Sequence, residues 1–377
     1  MAREEGVRMV DNHRPGGAVQ WNQLQTAPPS TSAETFRSES RKMLVPLLPR
    51  WEFYQVIEVV VVSMCAILTL QHVLATRKKA KRERALKARG PDEGAPAILA
   101  IGTETPPYCF TNEYYMEILG LCLRGKGIVS EAWIDFFLPR CQNSGIAQRH
   151  CVHPHEDFQD ENLSKPRKER KGLFPSAELD YNPTAEERQA LWATWAPRLG
   201  IAAATKALKQ WGGDKQAITH LVFHSCTGFK APGVELDILD ALGLQNVRRR
   251  FGINYMGCFG AFTGLAIAKS MVEAEPDAVV LLVCVEICSI HFSLSSNRSE
   301  FIGNTVFADG GAAAIVGAGS HGDWALGTNY SHLLGKSTRS HMTWAPSNFG
   351  YCMYLDRSIS TSLGFCLFRN VKRFMKR

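Results

Sequence analysis

The sequence predicts an α/β protein, and three observations carry that prediction. Between Ala95 and Ser320, short apolar runs ending in Gly or Pro alternate with segments of helical period, as parallel βαβ units do. Two successive units share one plan: "AITHLVFHSCTG" then "PGVELDILDALGL", and "RRRFGINYMGCFG" then "AFTGLAIAKSMVEA". The composition, 45% hydrophobic and 21% charged over 377 residues, supplies a large core.

Residues 1–50 are polar and rich in Pro and Gly, without a sustained period, and are expected to be disordered. Residues 51–76 contain "YQVIEVVVVSMCAILTLQHVLA", Tyr54 to Ala75. A bilayer needs ~20 apolar residues, which this stretch supplies if Glu58 and Gln71–His72 reach the interface. It reads as a single-pass transmembrane anchor, with a buried or peripheral helix as the alternative. The basic run in 77–94, "RKKAKRER" onward, marks the cytoplasmic side and puts the following domain in the cytoplasm. Without a membrane, the same run is a solvated linker or a patch for anionic lipid.

The formal charge is +7, and the segment Arg77–Arg89, with Glu83 as its only acid, carries all of it. The rest is near neutral, which argues against nucleic-acid binding spread over the fold. Eleven cysteines without a C-x-x-C argue against a disulfide framework and a zinc site of the usual spacing. No metal is expected, and the thiols are expected to be reduced.

From Ala95 the elements follow in order. "APAILAIGTETPP" is a buried strand, and residues 110–175 are mixed, with the charged "LSKPRKERKG" at the surface. "TAEERQALWATWAPRLGIAAATKALKQWGG" opens with a capping box, Thr184 and Glu187. It is expected to break at Pro197 and to close at Gly212–Gly213. After the two βα units come the strands "DAVVLLVCVEI" and "FADGGAAAIVGAG".

Cys258 lies where the second unit passes from strand to helix, the place where α/β sheets gather their sites. Helix N-termini favour a thiolate and offer N–H groups to an oxyanion. Gly257 and Gly260 allow close approach. Taken alone, a buried inert thiol fits as well.

The motifs in 98–320 narrow the choice. "ILAIGTETPP", "ITHLVFHSCTGFKAPGVELDILDALGL", "NYMGCFGAFTGLAIAKSMVEAEPDAVVLLVCVEICSIHF" and "FIGNTVFADGGAAAIVGA" resemble, in order, the type III polyketide synthases. These are the chalcone and stilbene synthase-like condensing enzymes of the thiolase superfamily. "SCTG" and "VEICSIHF" are similar to its bacterial and microbial members. The resemblance implies a thiolase-like layered αβαβα fold, with residues 95–320 as a complete first half carrying the nucleophile. It implies an acyltransferase and homodimer that uses CoA thioesters as substrates, with no cofactor.

In that reading Cys258 takes an acyl group from acyl-CoA and extends it by decarboxylative Claisen condensation with malonyl-CoA. Cys226 and Thr227 border the cavity, Phe307 matches the gatekeeping phenylalanine, and Gly303 matches a small pocket-lining position. Pocket lining and core packing use the same residue types, so Phe307 as a core aromatic and Cys226 as a buried thiol remain open. Glu286 and His291 flank the region, His291 as a wall or core residue. Of the positions matched to the CoA-phosphate grip, Arg140 is basic while Phe136 and Asn143 are not.

Residues 321–377 resemble only the start of the family's second half, followed by a basic tail, so that half is expected to be largely missing. The family's catalytic histidine position falls on Tyr354, and the matching asparagine is not reached. His332 and His341 are expected at the surface. Loss of the second sheet should expose apolar surface on "AFTGLAIAKSMV". Two alternatives follow: a catalytically inactive partner subunit, and a ketoacyl-CoA synthase-like elongase.

Overall fold

The computed structural model describes residues 94–126, 130–142, 144–159, 169, 172, 183–292, 298–319, 324–356 and 358–375. The chain divides into two units, Met1–Glu83 and Arg84–Arg377, and every described residue belongs to the second. The expected anchor, 54–75, and the basic run after it lie outside the described residues. Among the described residues no helix is long and apolar enough to cross a membrane.

Ten strands and seven α-helices are described, in the order β1 (Pro96–Glu104), β2 (Tyr108–Thr111), α1 (Asn112–Lys126), α2 (Glu131–Gln142), β3 (Gln148–Cys151), α3 (Ala185–Trp211), β4 (His220–Ser225), α4 (Val234–Leu242), β5 (Arg249–Asn254), α5 (Gly260–Ala274), β6 (Val280–Ile287), α6 (Arg298–Val306), β7 (Asp309–Ala318), β8 (Trp324–Ala325), β9 (Met342–Ser347), β10 (Gly350–Leu355) and α7 (Ile359–Phe374).

Six strands form the main sheet in the order β5-β4-β6-β7-β1-β8. The two expected parallel units are present, with β4 parallel to both β5 and β6. The parallel arrangement does not extend further, because β7 runs antiparallel to β6, and β1 antiparallel to β7. The reason lies in the connection. Ile287 at the end of β6 pairs with Asp309 at the start of β7, so the intervening chain leaves and re-enters at one end of the sheet. A strand entered from that end must run backwards.

Alternation along the strands builds two cores. Leu221, Phe223, Leu281, Val283, Val285 and Ile315 form one face with α3 and α4. Val222, Val280, Leu282 and Val316 form the other with Ala268 and Val272 of α5. A third cluster joins β2, α1 and α2 through Phe110, Met116, Leu119, Ile134 and Phe137.

Helix α3 begins at the predicted capping box: Thr184 Oγ1 accepts from Glu187 N–H at 3.2 Å, and Thr184 N–H donates to Glu187 Oε2 at 2.9 Å. It ends at left-handed Gly212. The predicted break at Pro197 does not occur, for the helix runs through it. Trp192, Ala196, Leu199, Ala203 and Ala207 bury one stripe against the sheet on both sides of the proline, and that packing outweighs the lost N–H bond.

Strands β9 and β10 pair only with each other. Asn348 O at their turn accepts from Ala185 N–H at 2.9 Å, and Tyr351 N–H donates to His291 Nδ1 at 3.1 Å. These bonds hold the hairpin against the start of α3 and the turn that follows β6.

Candidate active site

A cavity of about 700 Å³ opens at the carboxyl ends of the parallel strands. Cys226 and Thr227 follow β4 into it, and the turn Tyr255–Phe259 follows β5. Glu286 and Cys288 come from the end of β6, Gly303 and Phe307 from the α6–β7 corner, and Trp344, Tyr351 and Met353 from the hairpin. All five residues singled out by sequence, Cys258, Cys226, Thr227, Gly303 and Phe307, therefore line one space.

Cys258 sits in a single 3-10 turn, Gly257–Phe259, directly ahead of α5. Its side chain is exposed. Gly257 has φ +64°, a conformation that glycine adopts without strain. Tyr255, two residues earlier, holds φ +57°, which costs energy in a residue with a Cβ. The turn is tied to β4, because Gly257 N–H donates to Cys226 Sγ at 3.0 Å. Among the described residues no side chain bonds to Cys258.

Behind the Cys258 turn, Glu286 is the centre of a polar knot. Its carboxylate accepts from Cys226 N–H at 2.9 and 3.1 Å and from the Thr227 hydroxyl at 2.8 Å. A third of its side chain faces the cavity, yet burial raises its pKa to about 7 against those bonds. Thr227 also accepts from Ile287 N–H at 2.9 Å, so this residue braces β4 to β6. Burial and then the nearby Glu286 push the Cys226 thiol up to about 11.

His291 is buried and bonded through both nitrogens. Nε2 donates to Thr227 O at 2.6 Å, and Nδ1 accepts from Tyr351 N–H. Burial first, and the Arg188 charge after it, lower its pKa to about 4. The ring stacks on Tyr351 at 4.5 Å and meets Trp344 edge-on. It is a wall residue, as its sequence context predicts. Arg188, fully buried, donates to Ile290 O and Phe292 O and fixes this turn from behind.

Tyr354 is a correction. Matched to the family's catalytic histidine, it should stand opposite Cys258. Instead its hydroxyl donates to Asp356 at 3.3 Å, its ring is exposed, and it is not part of the cavity wall. Tyr351, Cys352 and Met353 line the cavity from β10, and Tyr354 falls beyond its edge. His332 is exposed, and His341 sits beside the Ser358 hydroxyl at 3.3 Å. Phe136 is exposed, and Asn143 lies outside the described residues.

Sequence reasoning missed the hairpin side chains. Trp344 Nε1–H donates to Cys226 O at 2.7 Å, and the Tyr255 and Tyr351 hydroxyls lie 2.9 Å apart. No local pattern announces these contacts, which join residues separated by about a hundred positions. His224 was also overlooked, although period-2 alternation puts it on the same side of the chain as Cys226.

Comparison with known proteins fits this geometry. Residues 81–320 match the family model for chalcone and stilbene synthases, N-terminal domain, which is more than half of the chain. The chain belongs to the chalcone and stilbene synthase family. Among solved structures it is similar to the C-terminal type III polyketide synthase domain of Steely1, a type I/III hybrid from Dictyostelium. The two share 26% identity with a TM-score of 0.63, over 74% of this chain and 72% of that one. It is also similar to PKS-I from the brown alga Ectocarpus siliculosus, with 25% identity and a TM-score of 0.64, over 75% of this chain and 73% of that one. The α/β arrangement is thus that of the thiolase-like type III polyketide synthases. Membership supports a transferase or synthase enzyme class.

Proposed function

We propose that this chalcone synthase-like protein loads an acyl group from acyl-CoA on Cys258 and extends it with malonyl-CoA. The observation that carries the reading is the placing of an exposed Cys258 on a glycine-shaped turn at the mouth of a cavity lined by Cys226, Gly303 and Phe307. Cys258 Sγ attacks the thioester carbonyl, the bond from that carbon to CoA sulfur breaks, and CoA leaves as its thiol. Malonyl-CoA loses CO2, and the enolate carbon attacks the acyl carbonyl. The bond to Cys258 Sγ then breaks, which returns the thiolate and leaves a 3-ketoacyl-CoA. Covalent capture divides one difficult transfer into two easier steps.

The test supplies the purified chain with acyl-CoA and labelled malonyl-CoA. The expected result is CO2 release and a product longer by two carbons per extension, the product being absent in Cys258→Ala. The same reading makes the protein a homodimer, tethered by 54–75 at a membrane with the enzyme in the cytoplasm. It should then sediment with membranes and resist a carbonate wash; recovery in the soluble fraction removes the tether.

One observation favours a second reading, a catalytically inactive partner subunit. Tyr354 faces away from the cavity, and among the described residues no imidazole bonds to Cys258. Unchanged malonyl-CoA in the same assay selects that reading.

A further inference from the structure

We propose that His224, Cys226 and Glu286 form a binding site for a divalent transition-metal ion, zinc by preference, in the wall of the cavity behind the nucleophile turn. The site is separate from the condensation chemistry, and Cys258 is not one of its ligands.

The geometry begins with His224, buried at the end of β4. Its Nδ1 lies 3.0 Å from Ile253 O. A carbonyl only accepts, so Nδ1 carries the ring proton and Nε2 presents a bare lone pair. Near Nε2 lie Cys226 Sγ at 3.7 Å and Glu286 Oε1 at 3.5 Å, and the Gly257 backbone is a further hydrogen-bond partner of the ring. All three ligand atoms lie within 4.8 Å of one another. A tetrahedral zinc, with bonds of ~2.3 Å to sulfur and ~2.0 Å to nitrogen and oxygen, sets sulfur–nitrogen and nitrogen–oxygen separations of about 3.6 and about 3.3 Å. The observed spacings fall close to both.

The surroundings are those of a ligand set. Histidine ligands donate their other nitrogen to a carbonyl or carboxylate, which fixes tautomer and ring plane, and Ile253 O does this for His224. The remaining groups are held from outside the cluster. Gly257 N–H donates to Cys226 Sγ, while Cys226 N–H and the Thr227 hydroxyl donate to Glu286. Three electron-pair donors thus converge, and a cation between them removes their mutual repulsion. Gly260 leaves room for the His224 ring. A Cβ there would overlap Nε2, Cε1 and Cδ2 of His224 almost equally, so it would press on the ring's face and not on the in-plane lone pair.

Sulfur, nitrogen and one carboxylate suit zinc or cobalt, whereas magnesium and calcium select oxygen. Cys226 and Glu286 line the cavity and His224 lies behind them, so the fourth position of a bound ion faces the cavity. The sequence hid the site because its ligands come from two strands, with an i, i+2 pair on one and a single carboxylate on the other.

Cobalt(II) titration of the full-length, metal-stripped protein tests the proposal. The expected result is a thiolate-to-cobalt charge-transfer band in the near ultraviolet that saturates at one equivalent and is displaced by zinc. Cys226→Ser should abolish the band, Cys258→Ala should retain it, and His224→Gln should weaken cobalt binding at least ~10-fold. Circular dichroism checks that each variant is folded; if Cys226→Ser is not, His224→Gln and Glu286→Gln decide. No band in the wild type, or unchanged binding in folded ligand variants, overturns the proposal.

Discussion

The two faces of the main sheet are closed in different ways. On one, α3 lays a long stripe of Trp192, Ala196, Leu199, Ala203 and Ala207 across β1, β7 and β6. On the other, α5 makes contact through Gly260, Gly264, Ala268 and Val272, a stripe of small residues. Its far side is open: Phe262 is 61% exposed. The first face is framework. The second trades side-chain volume for proximity, and that proximity brings the Cys258 turn within hydrogen-bond reach of Cys226. The exposure expected on "AFTGLAIAKSMV" is present only on the side of α5 away from the sheet.

If the α3 face is framework, truncation there should cost most. Trp192→Ala, at a fully buried ring, should lower stability by ~3–5 kcal/mol in urea unfolding. A similar cost for Phe262→Ala would erase the distinction between the faces.

His291 gives the next effect, through pH. Its folded pKa of about 4 lies below the ordinary value of 6.5. The unfolded chain therefore binds the proton first, and stability falls as pH drops from 6.5 towards 4, by up to ~3 kcal/mol. Urea melts across that range should show the decline, and His291→Gln should flatten it.

Gly264→Ala probes the close approach of α5. The added Cβ would sit 2.5 Å from Leu282 Cδ1, so the helix must lift or Leu282 must shift. A loss of ~1–3 kcal/mol is expected, together with slower acylation of Cys258. Stability loss without any change in acylation would separate helix packing from the placement of Cys258. Phe262→Ala is the smallest effect, within ~0.5 kcal/mol for an exposed position.

Much of the fold was legible because its signals are local. The capping box at Thr184 and Glu187, the left-handed cap at Gly212 and the turn at Cys258 each follow from a few adjacent residues. Pro197 misled, since a local rule against proline in helices met a stripe of tertiary contacts on both sides of it. The reversal at β7 was not legible, because strand direction depends on where the preceding chain re-enters the sheet. Within the site, motifs brought out Cys258, Cys226, Thr227, Gly303 and Phe307. Matching by position misplaced Tyr354, because the cavity lining from β10 ends at Met353. Trp344 and Tyr351 reach the cavity from a hairpin about a hundred positions along the chain, and His224 meets Glu286 only through the pairing of β4 with β6.

The central claim is that Cys258 is the acyl acceptor. Intact-protein mass spectrometry after incubation with an acyl-CoA, followed by peptide mapping, tests it most directly. The account predicts one acyl adduct per chain, mapped to Cys258, absent in Cys258→Ala and retained in Cys226→Ser. No adduct on the wild type, or an adduct that survives in Cys258→Ala, would contradict it.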